Sequence, residues 1–131
     1  MLLFFVDVIV DEVRELKSSK GQINMILFSG SVDAPFFKGE ILSGACDTQK
    51  YPAGGRGQLS ARYMIRGSDA EGTETHLFIE NNAFLSEDGS WKTVPAIYTD
   101  NEKLSWLQDI KLTGEIEGTD KGVRIHFRKD A

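Results

Sequence analysis

Charged and amide side chains face one another across a predicted hairpin in the middle of the chain. Arg62 lies in the segment LSARYMIRG (59–67), and Glu80 and Asn82 lie in the segment after the turn at 68–72. Alternate side chains of a strand share a face, so Arg62, Glu80 and Asn82 fall on one face of the pair. Buried charges are costly unless paired. If this face points inward, it predicts a polar ligand site; if outward, an ordinary surface ion pair.

Two kinds of chemistry suit these residues. In a binding protein, Arg62 would hold a carboxylate or another anionic group, because its planar guanidinium favours bidentate contacts. In an enzyme, Asp47 or Glu80 would act as general base and Arg62 would stabilise an oxyanion. That set suffices for an isomerase, cyclase or lyase acting on a small carbonyl or carboxylate compound. Tyr63 completes the candidate site as a core or rim residue, since it follows Arg62 and should face the other way.

The rest of the sequence excludes several classes of protein. His76 and His126 lie on different predicted strands and Cys46 is remote from both, so neither a metal nor a cofactor is predicted. A net charge of -5 argues against nucleic-acid binding. The apolar opening, interrupted by Asp7, predicts a first strand instead of a signal peptide or a membrane span. We therefore expect a cytoplasmic protein, with a homodimer favoured because small barrels often pair.

Glycine spacing and alternation predict an all-β domain over residues 1–131. Thirteen glycines divide the 131 residues into short segments. The predicted architecture is a closed or nearly closed antiparallel β-barrel of about eight strands, which leaves no exposed sheet edge. The predicted strands cover 2–15, 22–30, 35–44, 58–67, 73–82, 93–99, 109–117 and 122–129.

Three local features refine this picture. In the last hairpin, alternation places Ile116 opposite Val123 and Glu115 opposite Arg124. The segment 101–107 predicts a short helix that covers one end of the barrel, with Asn101 as its cap and Leu104 and Leu107 on one side. The stretch 44–58 is predicted to be a loop long enough to act as a lid, and its polar and aromatic residues include Asp47, Gln49 and Tyr51.

A third function remains open besides binding and catalysis. Barrels of about eight strands are either filled by side chains or just wide enough for one small ligand. A filled barrel would be a structural or oligomeric protein in which Arg62 matters little. Its core would be formed by Phe4, Phe28, Phe36, Leu42, Ile79 and Phe127.

Three segments, in this order and spacing, resemble a known family. They are GSVDAPFFKGEILSGACDTQ (30–49), LSARYMIRG (59–67) and LFIENNA (77–83). They resemble the domain of unknown function 3237 family, small β-barrel proteins of bacteria and fungi. The family pattern falls on Gly44, Asp47, the Ala61-Arg62-Tyr63 triplet and the end of the fifth predicted strand. The resemblance covers about residues 2–128 and implies a barrel with polar residues grouped around Arg62 and Asp47.

Overall fold

The chain folds into one twisted antiparallel sheet that closes on itself, as a computed structural model of the protein shows. The structure describes residues 1–129. Its strands are β1 (Leu2–Ser18), β2 (Gly21–Asp33), β3 (Phe37–Ile41), β4 (Cys46–Pro52), β5 (Gln58–Asp69), β6 (Glu74–Phe84), β7 (Lys92–Thr99), β8 (Leu112–Gly118) and β9 (Gly122–Lys129). A 3₁₀ helix spans Glu102–Gln108, between β7 and β8. No helix in the described part of the chain is long and apolar enough to cross a membrane.

The nine strands occupy eight positions around the barrel. β3 and β4 lie end to end between β2 and β5, and each of them pairs with both of these neighbours. From β5 the order runs through β6, β7, β8 and β9 to β1, and pairing of β1 with β2 closes the ring. The prediction of a closed eight-stranded barrel with one short helix is confirmed.

The prediction of a loop at 44–58 is wrong for Cys46–Pro52, which form the strand β4. The strand predicted at 35–44 ends at Ile41, and after a short interruption β4 continues along the same position as far as Pro52. The cause lies in the residues that β4 turns inward, Asp47, Gln49 and Tyr51. Two of these three are polar, so the apolar alternation that normally identifies a strand is absent.

The last hairpin keeps its predicted faces but not its predicted register. Ile116 pairs with Ile125 instead of Val123, which lies opposite Gly118. The two-residue difference shortens the loop and adds ladder hydrogen bonds without exchanging the inner and outer faces. Arg124 therefore does not face Glu115; its Nε donates to Asp7 Oδ1 on β1 at 2.8 Å.

The helix covers the end of the barrel at which β5 turns into β6. Asn101 accepts a hydrogen bond from the backbone N–H of Lys103 and caps the helix, as predicted. Its amide also donates to Asp69 Oδ2 at 2.9 Å and to Thr75 Oγ1 at 2.8 Å. The hydrogen bond to Asp69 is the main cause of the lowered pKa of that carboxyl group. Leu104 and Leu107 are buried in the core below.

Aromatic and aliphatic side chains fill this end of the barrel. Phe4 stacks on Phe127 with ring centroids 4.5 Å apart, and Phe36 packs edge-on against both Phe4 and Trp106. Ile79 is also fully buried, whereas Leu42, another predicted core residue, is exposed on the surface. The expected packed core is therefore present, but it lies near the helix.

β5 and β3 approach so closely at Gly67 that no side chain fits at this position. A Cβ on Gly67 would lie 1.9 Å from the backbone oxygen of Lys38 and 2.5 Å from the Cα of Gly39 on β3. We expect Gly67→Ala to lower the free energy of unfolding by roughly 3 kcal/mol, because only a backbone shift relieves the overlap. Urea denaturation measures this change. Gly118→Ala is the control, since its Cβ would meet no atom within 4 Å; an equal loss in both variants would contradict this account.

Candidate functional site

The register of β4, β5 and β6 decides which candidate residues enter the barrel. Asp47 lies opposite Ala61, and Ala61 lies opposite Asn81. Directly paired residues share a face, so the three side chains point to the same side of the sheet. Ala61 and Asn81 are buried, which shows that this side is the interior.

Arg62 points away from the barrel interior, which is the outward orientation of the two that the sequence left open. It lies between the buried residues Ala61 and Tyr63, so the alternation of β5 turns it outward. Its Nε lies 2.8 Å from Glu80 Oε2, and the two side chains are 66% and 30% exposed. Asn82 is exposed on the same outer face. Arg62 and Asn82 line a surface groove, and Glu80 pairs with Arg62 beside it.

The interior contains a cavity of about 220 Å³ at the end opposite the helix. Leu59 and Ala61, at the start of β5, line it, whereas the helix contacts Asp69 at the other end of that strand. Most of its lining is apolar and includes Phe28, Ile116 and Ile125. The lining also includes Trp91 and four polar residues, Asp47, Gln49, Asn81 and Thr93.

Three buried polar atoms on this lining have no hydrogen-bond partner within residues 1–129. They are Asp47 Oδ1, Asn81 Oδ1 and Thr93 Oγ1. Asn81 and Thr93 are almost completely buried. Buried polar groups in folded proteins are nearly always hydrogen-bonded, because an unpaired group costs roughly 1–3 kcal/mol. Three residues on the lining of one cavity therefore carry polar atoms whose hydrogen bonding is incomplete among the described residues.

A chain of side-chain hydrogen bonds positions Asp47. Gln49 Nε2 donates to Asp47 Oδ2 at 3.3 Å, and Tyr51 Oη donates to Gln49 Oε1 at 3.2 Å. Asn24 Nδ2 on β2 also donates to Gln49 Oε1, at 3.5 Å. These contacts engage one carboxylate oxygen of Asp47, Oδ2, and leave the other, Oδ1, without a hydrogen-bond partner among the described residues.

Burial changes the acid–base properties of two interior groups. The pKa of Asp47 is raised above its usual value because desolvation disfavours the charged carboxylate, and the hydrogen bond from Gln49 only partly opposes this effect. Burial likewise raises the pKa of Tyr63, whose Oη accepts a 3.5 Å hydrogen bond from Asn81 Nδ2. Tyr63 is thus a core residue, the first of the two places that the sequence left open for it, and its hydroxyl contacts the amide of Asn81.

Two small residues leave room for the polar groups. Ala61 lies between Asp47 and Asn81 and extends only a methyl group into the barrel. A Cβ on Gly114 would lie 2.0 Å from Thr93 Oγ1, so the absence of a side chain there accommodates the Thr93 hydroxyl. A larger residue at Ala61 would fill part of the cavity, and one at Gly114 would displace the Thr93 hydroxyl.

Of the five predicted site residues, the structure brings only Asp47 and Tyr63 to the interior. Sequence reasoning did not identify Asn81, Thr93 or Trp91. The pattern LFIENNA could have indicated Asn81, because it continues the inward alternation of Leu77 and Ile79 and places an amide where an apolar side chain is expected.

Together these features define a closed antiparallel β-barrel that is packed at one end and has, at the other, a mostly apolar cavity with a few polar side chains on its lining. A family model described as protein of unknown function (DUF3237) matches residues 2–94, and the chain belongs to this family. The resemblance noted in the sequence is thus confirmed. A UPF0311 protein of Clostridium acetobutylicum is 35% identical over 100 residues, which cover 63% of this chain and 61% of that protein. The chain therefore spans less than two thirds of this relative.

Solved structures share the fold at low sequence identity. A protein of unknown function from Clostridium acetobutylicum superposes with a TM-score of 0.82 at 23% identity, covering 100% of this chain and 95% of that one. A β-barrel-like protein from Acinetobacter baumannii gives 0.71 at 22%, covering 96% and 90%. An enzyme from Penicillium herquei gives 0.72 at 16%, covering 98% and 91%.

The raised pKa of Asp47 has a consequence for stability. The folded protein holds this proton more tightly than the unfolded chain, so stability falls as pH rises from the ordinary Asp value through the raised one. We expect Asp47→Asn to be more stable than the wild type near pH 7 and equally stable near pH 3, where both side chains are neutral. Thermal unfolding across this range measures the difference. A difference independent of pH would contradict a desolvated Asp47 carboxyl.

Proposed function

We propose that the protein binds a small, mostly apolar molecule in the barrel cavity and holds its polar part with Asp47, Asn81 and Thr93. The observation that carries this proposal is that three residues lining one cavity each have a buried, unpaired polar atom. A filled structural barrel would gain nothing from these atoms, since each of them lowers its stability.

The size of the cavity limits the ligand. An apolar cavity of about 150 Å³ in another protein accommodates benzene. At about 220 Å³, this cavity suits a molecule of one ring with small substituents. Phe28, Ile116 and Ile125 would contact the ring, which supplies the hydrophobic part of the affinity.

The lining also changes the expected charge of the ligand. The expectation of an anionic ligand depended on Arg62 inside the barrel, and Arg62 lies outside. No Lys, Arg or His is found among the described residues that line the cavity. An anion would meet the Asp47 carboxyl and no compensating cation, so we propose a neutral or cationic polar group instead.

Substitutions on the two faces of β5 test the proposal. We expect Ala61→Leu to weaken binding of one-ring compounds at least tenfold, because the added carbons project into the cavity. Arg62→Leu, at the next position but on the outer face, is the matched control and should bind as the wild type does. Ligand-observed NMR with a set of one-ring compounds measures both variants. Loss of binding in Arg62→Leu with retention in Ala61→Leu would instead place the ligand in the outer groove.

A catalytic function in the same cavity is the second candidate, and the raised pKa of Asp47 favours it. A carboxyl group with a raised pKa is a better proton acceptor and donor near neutral pH than an ordinary one. Asp47 could accept a proton from the carbon beside a carbonyl group and return it to another carbon of the same molecule. This isomerisation needs no cofactor. Glu80, the other candidate base, lies on the outer face and has no access to the cavity.

Isotope exchange tests catalysis without knowledge of the product. We expect small cyclic ketones incubated with the protein in D₂O to gain deuterium beside the carbonyl at least tenfold faster than in buffer. Asp47→Asn should abolish this gain, and Glu80→Gln should retain it. Mass spectrometry of the recovered ketone measures the rate. If Asp47→Asn exchanges as fast as the wild type, Asp47 is not the base.

A further inference from the structure

We infer that the ligand of the barrel cavity is a small organic cation, a primary ammonium group attached to a one-ring apolar body, with the ammonium beside Asp47. This inference rests on the proposed binding function and specifies the class of ligand. Three features of the lining carry it: its charge, its hydrogen-bonding capacity and the presence of Trp91.

The charge of the lining comes from one group. Asp47 is the only ionisable side chain among the described residues that line the cavity. Its one engaged oxygen contacts a neutral amide, that of Gln49. A buried carboxylate without a counter-charge is unfavourable, and breaking a buried ion pair costs roughly 3–5 kcal/mol. An ammonium group supplies the missing counter-charge, a hydroxyl group supplies none, and a carboxylate would add a second negative charge.

The hydrogen-bonding capacity of the lining also fits an ammonium group. Two of the three unpaired atoms, Asn81 Oδ1 and Asp47 Oδ1 in the ionised carboxylate, can only accept, and Thr93 Oγ1 can accept as well. An ammonium group has three N–H donors and no acceptor. Asp47 and Asn81 lie two strands apart across Ala61. At about 4.8 Å per strand, their backbones are roughly 10 Å apart, which leaves space between the side chains for one small polar group.

Aromatic side chains lie near the polar end of the cavity. Trp91 is part of the lining, and its ring packs edge-on against Tyr51 with centroids 6.4 Å apart. Tyr51 in turn donates to Gln49, the residue that positions Asp47. The faces of Trp and Tyr rings attract cations, with Trp the strongest. The Trp91 indole on the lining therefore favours a cation over a neutral molecule in the same cavity.

Four compounds of nearly equal size separate these effects. Benzylamine, benzyl alcohol, toluene and benzoate share one ring and differ in charge and donor capacity. We expect benzylamine to bind at least tenfold more tightly than benzyl alcohol at pH 7, toluene to bind weakly, and benzoate not to bind. Ligand-observed NMR competition at moderate salt measures the four affinities. Asp47→Asn should weaken benzylamine binding at least tenfold and leave benzyl alcohol binding unchanged.

The outcomes distinguish this inference from the proposed function. If benzyl alcohol or toluene binds as tightly as benzylamine, the cation is wrong while the cavity remains a binding site. If none of the four compounds binds, the proposed function itself fails. If benzylamine binds but Asp47→Asn binds it equally well, the ammonium does not lie beside Asp47 and the inference is overturned. The Arg62→Leu variant should give the same four affinities as the wild type, and a change there would also overturn it.

Discussion

The pairing of β5 with both of its neighbours is the constraint on which the site depends. β5 is paired on both sides over most of its length, with β4 over residues 58–62 and β3 over residues 65–69 on one side, and with β6 over residues 58–68 on the other. Its side chains therefore have no freedom to change faces. A shift of one residue would bury Arg62 and expose Tyr63, at a cost of several kcal/mol for the unpaired charge. The interior position of Asp47 and Asn81 follows directly from this register.

The interior of the barrel is filled differently at its two ends. At the helix end, rings and branched side chains fill the interior, and Asn101 satisfies the polar groups of the neighbouring turn. At the other end, the small side chain of Ala61 leaves space, the absence of a side chain at Gly114 accommodates the Thr93 hydroxyl, and Asp47 keeps an unpaired oxygen. Stability is concentrated at one end, and the polar groups that lower it are concentrated at the other, as expected of a functional site.

The fold could be predicted from the sequence further than the site could. Alternation identified the hairpin of β5 and β6, and the cap residue Asn101 identified the helix. The same method missed β4, because a strand that lines a polar cavity turns Asp47 and Gln49 inward and loses its apolar period. The orientation of Arg62 could not be decided, because alternation separates two faces without stating which one is inside. That decision required the neighbouring strands.

The central claim is that Asp47 is a desolvated carboxyl group inside the barrel. Titration of its side-chain carboxyl carbon by ¹³C NMR, with Asp47→Asn used for assignment, tests this claim most directly. The account predicts a pKa above the ordinary value of 3.8, since burial disfavours the charged form. It also predicts a decrease of that pKa when benzylamine is bound. A pKa at or below 3.8 in the free protein would show a solvated or ion-paired carboxylate and would contradict the account.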